Sequence, residues 1–222
     1  VFTEKPPQTI LILGTDMSGK DHVANVVADA AQAAGLQMER RRGAFSNRPD
    51  RRRTSENKGS FILWLEWAFL ATLPLHCRLL PFLAALMIRY DLFRFRRPAR
   101  ASLLVVSHTA IRLLAFALGH LYSCVEEIRM PEMAKRALRA IPEVTGARTF
   151  VLDVDHQVRE ERMARRLTQG TLDNFDRYLG KDPVRSERIE DFLVWIGMQY
   201  LGATRIENND LPDDVLLAIM AR

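Results

Sequence analysis

The segment ILILGTDMSGK, Ile10 to Lys20, constrains the fold of this chain more than any other. Thr9 to Leu13 is a short, apolar, β-branched run of the kind that forms a buried parallel strand. Gly14, Gly19 and Lys20 follow in G-x-x-x-x-G-K spacing. Beyond them Val23, Val26, Val27, Ala30, Ala31 and Ala34 recur at helical spacing, and Gly35 stands where a helix C-cap belongs. Strand, glycine loop and helix in that order build an anion nest. Successive backbone N–H groups turn inward, and the helix adds the positive end of its dipole. Gly14, Thr15, Asp16, Met17, Ser18, Gly19 and Lys20 are therefore candidate phosphate-binding residues, with Asp21 and His22 just beyond. Lys20 can reach the outer phosphates as a point charge, and Asp16 can orient a metal-bound water or an acceptor group.

Asp21 departs from the pattern, which places Ser or Thr after Gly-Lys so that a hydroxyl can hold magnesium. Two readings stay open. Asp suits the first turn of a helix, where it favours the dipole. Its carboxylate is also a hard oxygen ligand for Mg2+, which makes Asp21 the candidate metal ligand. The added negative charge beside the phosphates would then have to be offset by the metal or by arginines.

Further strands are expected at Leu36–Arg42, Leu103–Val106, Thr149–Val154 and Thr204–Glu207. Helices are expected at Phe82–Phe95, Ala110–Ile128, Pro131–Ala140, Gln157–Leu167, Pro183–Leu201 and Asp213–Met220. The apolar segment Phe61–Leu73 is expected to break at Pro74, and Pro81 to mark a second break. This alternation predicts an α/β fold: one domain over 1–222, with a parallel sheet of about five strands and helices on both faces. An apolar helical insertion is expected at about 60–95. Ligands of such sheets bind beyond the C-terminal ends of the strands.

The 222 residues are 48% hydrophobic and 27% charged, enough to bury a core and unlike a disordered chain. The net charge of +5, mostly arginine, favours anionic partners and bidentate phosphate contacts. Cys77 and Cys124 form no metal or redox motif and are expected as two buried thiols. The polar, turn-like Thr3-Glu4-Lys5-Pro6-Pro7 matches no signal peptide, and a cytoplasmic location is expected. The apolar helices fall short of a membrane span. Core or dimer-interface packing is the first expectation for them; a membrane-surface contact, suited to Trp64 and Trp67 with flanking arginines, is the second.

The loop GTDMSGKD resembles the G-x-D-G-S-G-K-T loop of thymidylate kinases and their nucleoside monophosphate kinase relatives. LDVDHQVREERMARR, Leu152 to Arg166, is similar to that family's fourth strand and the basic helix leading into its lid. Asp173-Asn-Phe-Asp-Arg177 resembles the residues after the lid. IENNDLPDDVLLAI, Ile206 to Ile219, looks like the closing strand, the nucleotide-base loop and the final helix. The arginine-rich segment and the apolar helices also resemble thymidylate-kinase-like proteins found with polysaccharide biosynthesis. The resemblance implies a P-loop kinase fold, ATP and Mg2+ as cofactors, a lid region at about 157–182 and a homodimer. It would set Lys20 and the loop amides on the β-phosphate of ATP. It would set Arg162, Arg165 and Arg166 on the transferring phosphoryl, and Asn208 and Asn209 beside the adenine. The family's third strand ends in Asp-Arg, whereas Ser107-His108-Thr109 stands here. His108, in the Asp place, is either a base near neutral pH or a helix-start or packing residue. The family's arginine after strand two corresponds to Arg40, Arg41, Arg42 or Arg48.

Two functions follow. The first is an ATP-dependent phosphotransferase acting on a small-molecule acceptor: a nucleotide, a sugar phosphate or a lipid-linked group. The second is a catalytically impaired pseudo-kinase that works as a nucleotide-binding or protein-interaction module. A nucleic-acid partner is not expected, since the run Arg40 to Arg53 interleaves only Phe45 and matches no binding module.

Overall fold

The computed structural model describes residues 9–15, 18–33, 35–42, 60–98 and 102–209, with the side chains of Arg42, of residues 60–63 and of His108 outside the description. Five strands form one sheet: β1 (Thr9–Leu13), β2 (Gln37–Arg42), β3 (Ser102–His108), β4 (Arg148–Asp153) and β5 (Thr204–Glu207). Their order is β2-β3-β1-β4-β5, and every pairing is parallel. Ile10 lies in register with Val105 on one side and Arg148 on the other, so β1 is central. The chain fills the β3 side of β1 first and then crosses to the β4 side. The connections diverge beyond Leu13, and a crevice for ligands opens there.

Both sheet faces are covered, and the period of two along each strand assigns the residues. Ile10, Ile12, Leu103, Val105, Phe150 and Leu152 face α1 (Lys20–Ala33), which buries Val23, Ala24, Val27 and Ala31 against them. Leu11, Leu13, Leu104, Val106 and Val151 face the opposite layer. That layer holds α3 (Leu80–Phe93), α4 (Ile111–Leu121), α5 (Glu132–Thr145) and α8 (Pro183–Leu201). The remaining helices are α2 (Ser60–His76), α6 (His156–Thr168) and α7 (Asn174–Gly180). None of the helices among the described residues is long and apolar enough to cross a membrane.

Several expected boundaries move. Pro74 lies inside the last turn of α2 and Pro142 inside α5, while Pro81 sits at the start of α3. A proline removes one helical hydrogen bond; in α5 the burial of Leu138, Ile141 and Thr145 outweighs that loss, and the helix ends only at left-handed Gly146. α4 stops at Leu121 rather than continuing to Ile128. Tyr122 turns extended, and a single 3-10 turn at Val125–Glu127 follows. His108 ends β3 as a strand residue paired in register with Arg42, not as the start of a helix. Cys77 is buried as expected, but Cys124 is exposed beside that 3-10 turn. The expected helix at Asp213–Met220 lies outside the described residues.

Asp91 is buried on the inner face of α3, and desolvation raises its pKa to about 6. A carboxyl whose folded pKa is raised lowers stability wherever it is ionised, above that pKa. The penalty is relieved as pH falls from about 6 through the unfolded value of about 4. Asp91→Asn should therefore raise stability by about 2 kcal/mol at pH 8 and by close to nothing at pH 4. Urea unfolding at the two pH values checks this; equal effects at both would sink it.

Candidate functional site

The loop after β1 is held by contacts that fix its two glycines. A Cβ on Gly14 would lie 2.1 Å from Ser18 Oγ, closer than atoms can approach. Gly19 has φ +78, and a Cβ there would meet Asn208 Nδ2 at 2.6 Å. Three donors converge on the Thr15 carbonyl: Ser18 Oγ at 2.8 Å, Ser18 N–H at 3.3 Å and Lys20 Nζ at 3.3 Å. Lys20 opens α1 and is itself buried. Burial pushes its ammonium below the ordinary lysine pKa; Asp21 opposes the shift and Arg166 adds to it.

Asn208 follows β5 and wedges the loop against the far edge of the sheet. Its side-chain amide donates to Ser18 O at 2.6 Å, and its backbone N–H donates to Asp153 O at 2.8 Å. Its own carbonyl accepts from Arg162 at 2.8 Å, and Arg162 also donates to Asn209 O at 3.2 Å. Arg162 NH1 would lie 3.6 Å from a Cβ on Gly19, so α6 sets a guanidinium close to the loop. Asn209 is turned away, donating to Asp155 and accepting from its N–H, both at 2.9 Å. Asp153 is paired with Arg205.

On the other side Thr15 Oγ1 donates to Glu190 of α8 at 3.4 Å, and Glu190 is ion-paired with Arg159 of α6. Both charges are buried. Asp173 and Asp176 form a capping box at the start of α7, and Arg166 donates to Asp176 at 3.1 Å. Burial, helped by Asp173, pushes the Asp176 carboxyl upward. Beyond the end of β3 lies a cavity of about 230 Å³ whose lining includes Met87, Thr109, Arg112, Phe116 and Phe175. The Arg112 guanidinium stands 5.4 Å from the Phe116 ring and 5.1 Å from Phe175, and burial lowers its pKa to about 10.

Asp21 sits in the first turn of α1 with its carboxylate 2.5 Å from Arg40 of β2, and Arg40 also donates to Asn25 at 3.0 Å. An arginine thus offsets the charge that this position adds. His22 is exposed on the same turn. No three His, Cys, Asp or Glu side chains among the described residues are grouped to hold a metal. Asp16 and Met17 lie outside the described residues, and His108 is placed by its backbone alone.

The geometry gathers Gly14, Thr15, Ser18, Gly19, Lys20, Asn208 and Arg162 at the end of the central strand, with Arg166 joined through Asp176. This is a P-loop fold. No family model matches the chain, and no curated protein matches it. Among solved structures, a shikimate kinase from Acinetobacter baumannii in complex with shikimate is 13% identical, with 98% of this chain and 95% of that one covered, at TM-score 0.41. APE1195 is 14% identical, with 88% and 97% covered, at TM-score 0.35. The strand order and the loop carry the fold assignment; likenesses this loose add nothing to it.

Glu190, Arg159, Asp176 and Arg112 were not among the expected site residues. Asp176 alone had a sign in the sequence: it lies in the Asp173–Arg177 stretch that resembles the residues after the kinase lid, and its Asp-x-x-Asp spacing suits the capping box seen here. Asn208→Ala should cost about 1–3 kcal/mol of stability by leaving Ser18 O without its donor. Asn208→Asp, which sets a carboxylate against that carbonyl, should cost more. Chemical unfolding of the pair checks this, and equal losses would mean that the amide donor is not what holds the loop.

Proposed function

We propose that the chain is an ATP-dependent phosphotransferase, with the triphosphate on the Gly14–Lys20 loop and the phosphoryl acceptor in the crevice beyond β3. The observation that carries this reading is the buried Lys20 ammonium parked on the Thr15 carbonyl inside a glycine loop at the end of the central strand. An arriving phosphate offers that ammonium a stronger, charged partner in the same place. Loop amides and the α1 dipole add to the pull. Phosphoryl transfer needs little covalent help; it needs positive charge held in position. Arg162, anchored on two carbonyls, and Arg166, anchored on Asp176, are the candidates to supply it.

The acceptor crevice pairs two aromatic rings with one guanidinium. That chemistry favours a molecule with a flat or apolar body and an anionic end. The resemblance of the loop to thymidylate kinases makes a nucleoside monophosphate the first acceptor to try, ahead of a sugar phosphate or a lipid-linked group. Magnesium would travel with ATP, neutralising phosphate charge. Asp21 is the hard oxygen donor in the first turn of α1, and holding the ion there means sharing its carboxylate with Arg40.

The Arg40–Asp21 pair is also the observation that favours the second reading, a module that binds nucleotide without transferring from it. Calorimetry separates the two. Lys20→Ala should weaken ATP binding by about ten- to a hundredfold; unchanged affinity removes the loop as the site. Magnesium-dependent ATP binding by the wild type, with transfer to an acceptor, supports the phosphotransferase. Binding that magnesium leaves unchanged or weakens, and that gains magnesium dependence only in Asp21→Thr, supports the non-catalytic module.

A further inference from the structure

We propose that the outward face of α2 and α3 docks on an anionic lipid surface. α3 is apolar on both sides apart from Arg89 and Asp91, yet only one side of it enters the core: Leu80, Ala84, Ala85 and Ile88 are buried. The opposite side carries Leu79, Phe82, Leu83, Leu86, Tyr90 and Phe93, all exposed. These fall on one stripe at about 100° per residue. α2, joined to α3 by the turn at Cys77–Leu79, carries a stripe of its own, with Trp64, Trp67 and Leu75 exposed at i, i+3 and i+11. The exposures are high for such side chains: 58% for Trp64, 59% for Trp67, 86% for Leu75, 68% for Leu79 and 88% for Phe93. Isolated apolar residues on a surface need no explanation, but an exposed apolar stripe on each of two successive helices does.

Charge selects the occupant. Arg89 and Arg94 fall on the two flanks of the α3 stripe, Arg78 lies in the turn, and Arg96 and Arg97 follow the helix; all five are exposed. α2 and α3 carry one carboxylate each, of which Asp91 is buried and Glu66 half-buried. Trp67 also walls a cavity of about 360 Å³ with Leu70 and Pro74, and the facing wall carries Arg177, Lys181 and Arg185. Two copies meeting through this face would bring guanidinium against guanidinium. Anionic headgroups would pair with them while the Trp, Leu and Phe side chains enter the acyl boundary, the arrangement of an interfacial helix. This inference stands apart from the nucleotide reading, since its readout is lipid binding alone.

Co-sedimentation of the full chain with phosphatidylcholine vesicles, with or without about one third phosphatidylserine, tests it. The wild type should bind the anionic vesicles, lose binding as salt rises, and show tryptophan quenching by brominated lipid. Leu79→Glu/Phe93→Glu removes no buried contact and should bind at least about tenfold more weakly at an unchanged melting temperature. Arg89→Glu/Arg94→Glu should lose the preference for anionic vesicles. Absence of binding by the wild type, or equal binding by the Leu79/Phe93 variant, overturns the proposal. So does a dimer in light scattering that this variant splits into monomers while the wild type ignores vesicles; the face would then be a contact between copies.

Discussion

The hydrogen bond from the Asn208 amide to the Ser18 carbonyl joins positions 190 residues apart in sequence, and the rest of the site depends on it. It fixes the last described strand to the first loop. It also gives a second reason for glycine at Gly19, beyond its left-handed backbone, since a side chain there would collide with the same amide. Arg162 comes to the loop only because the Asn208 and Asn209 carbonyls receive it. The resemblance to thymidylate kinases implied that Asn208 would face a base. Here its amide donates to the Ser18 carbonyl, so it holds the glycine loop in shape.

A second constraint is charge balance in a half-buried space. Three cations near the loop have an internal acid: Arg40 with Asp21, Arg159 with Glu190, Arg166 with Asp176; Lys20 and Arg162 donate to backbone carbonyls. These pairs hold the helices at fixed distances from the loop without leaving bare charge in the interior. A phosphate entering the crevice would meet a field that these pairs balance only in part. Its binding energy would come from the loop amides and from whichever cations it drew away from their present partners.

The first strand, its loop and α1 were legible because backbone sterics demand glycine at Gly14 and Gly19 and because the apolar spacing changes from one period to another across them. α8 matches its expected span, Pro183–Leu201, and the structure shows local reasons for both ends: Asp182 caps the start and left-handed Gly202 the finish. Helix ends that depend on packing were not. Pro74 and Pro142 look like stops, yet tertiary contacts carry the helices past them. The α4 end fails in the other direction, because apolar composition runs on after Leu121 while the backbone turns away. Glu190 and Arg112 were invisible for a related reason. Each is one polar residue on an otherwise apolar helix face, and its partner arrives from a distant element.

The contact between Lys20 and the Thr15 carbonyl has one more consequence. The loop carries its own occupant, so any anion competes with an internal group and does not enter an empty nest. The lysine is also buried and less basic than in water. An anion seated on that ammonium would favour its charged form and so oppose the downward shift that burial imposes.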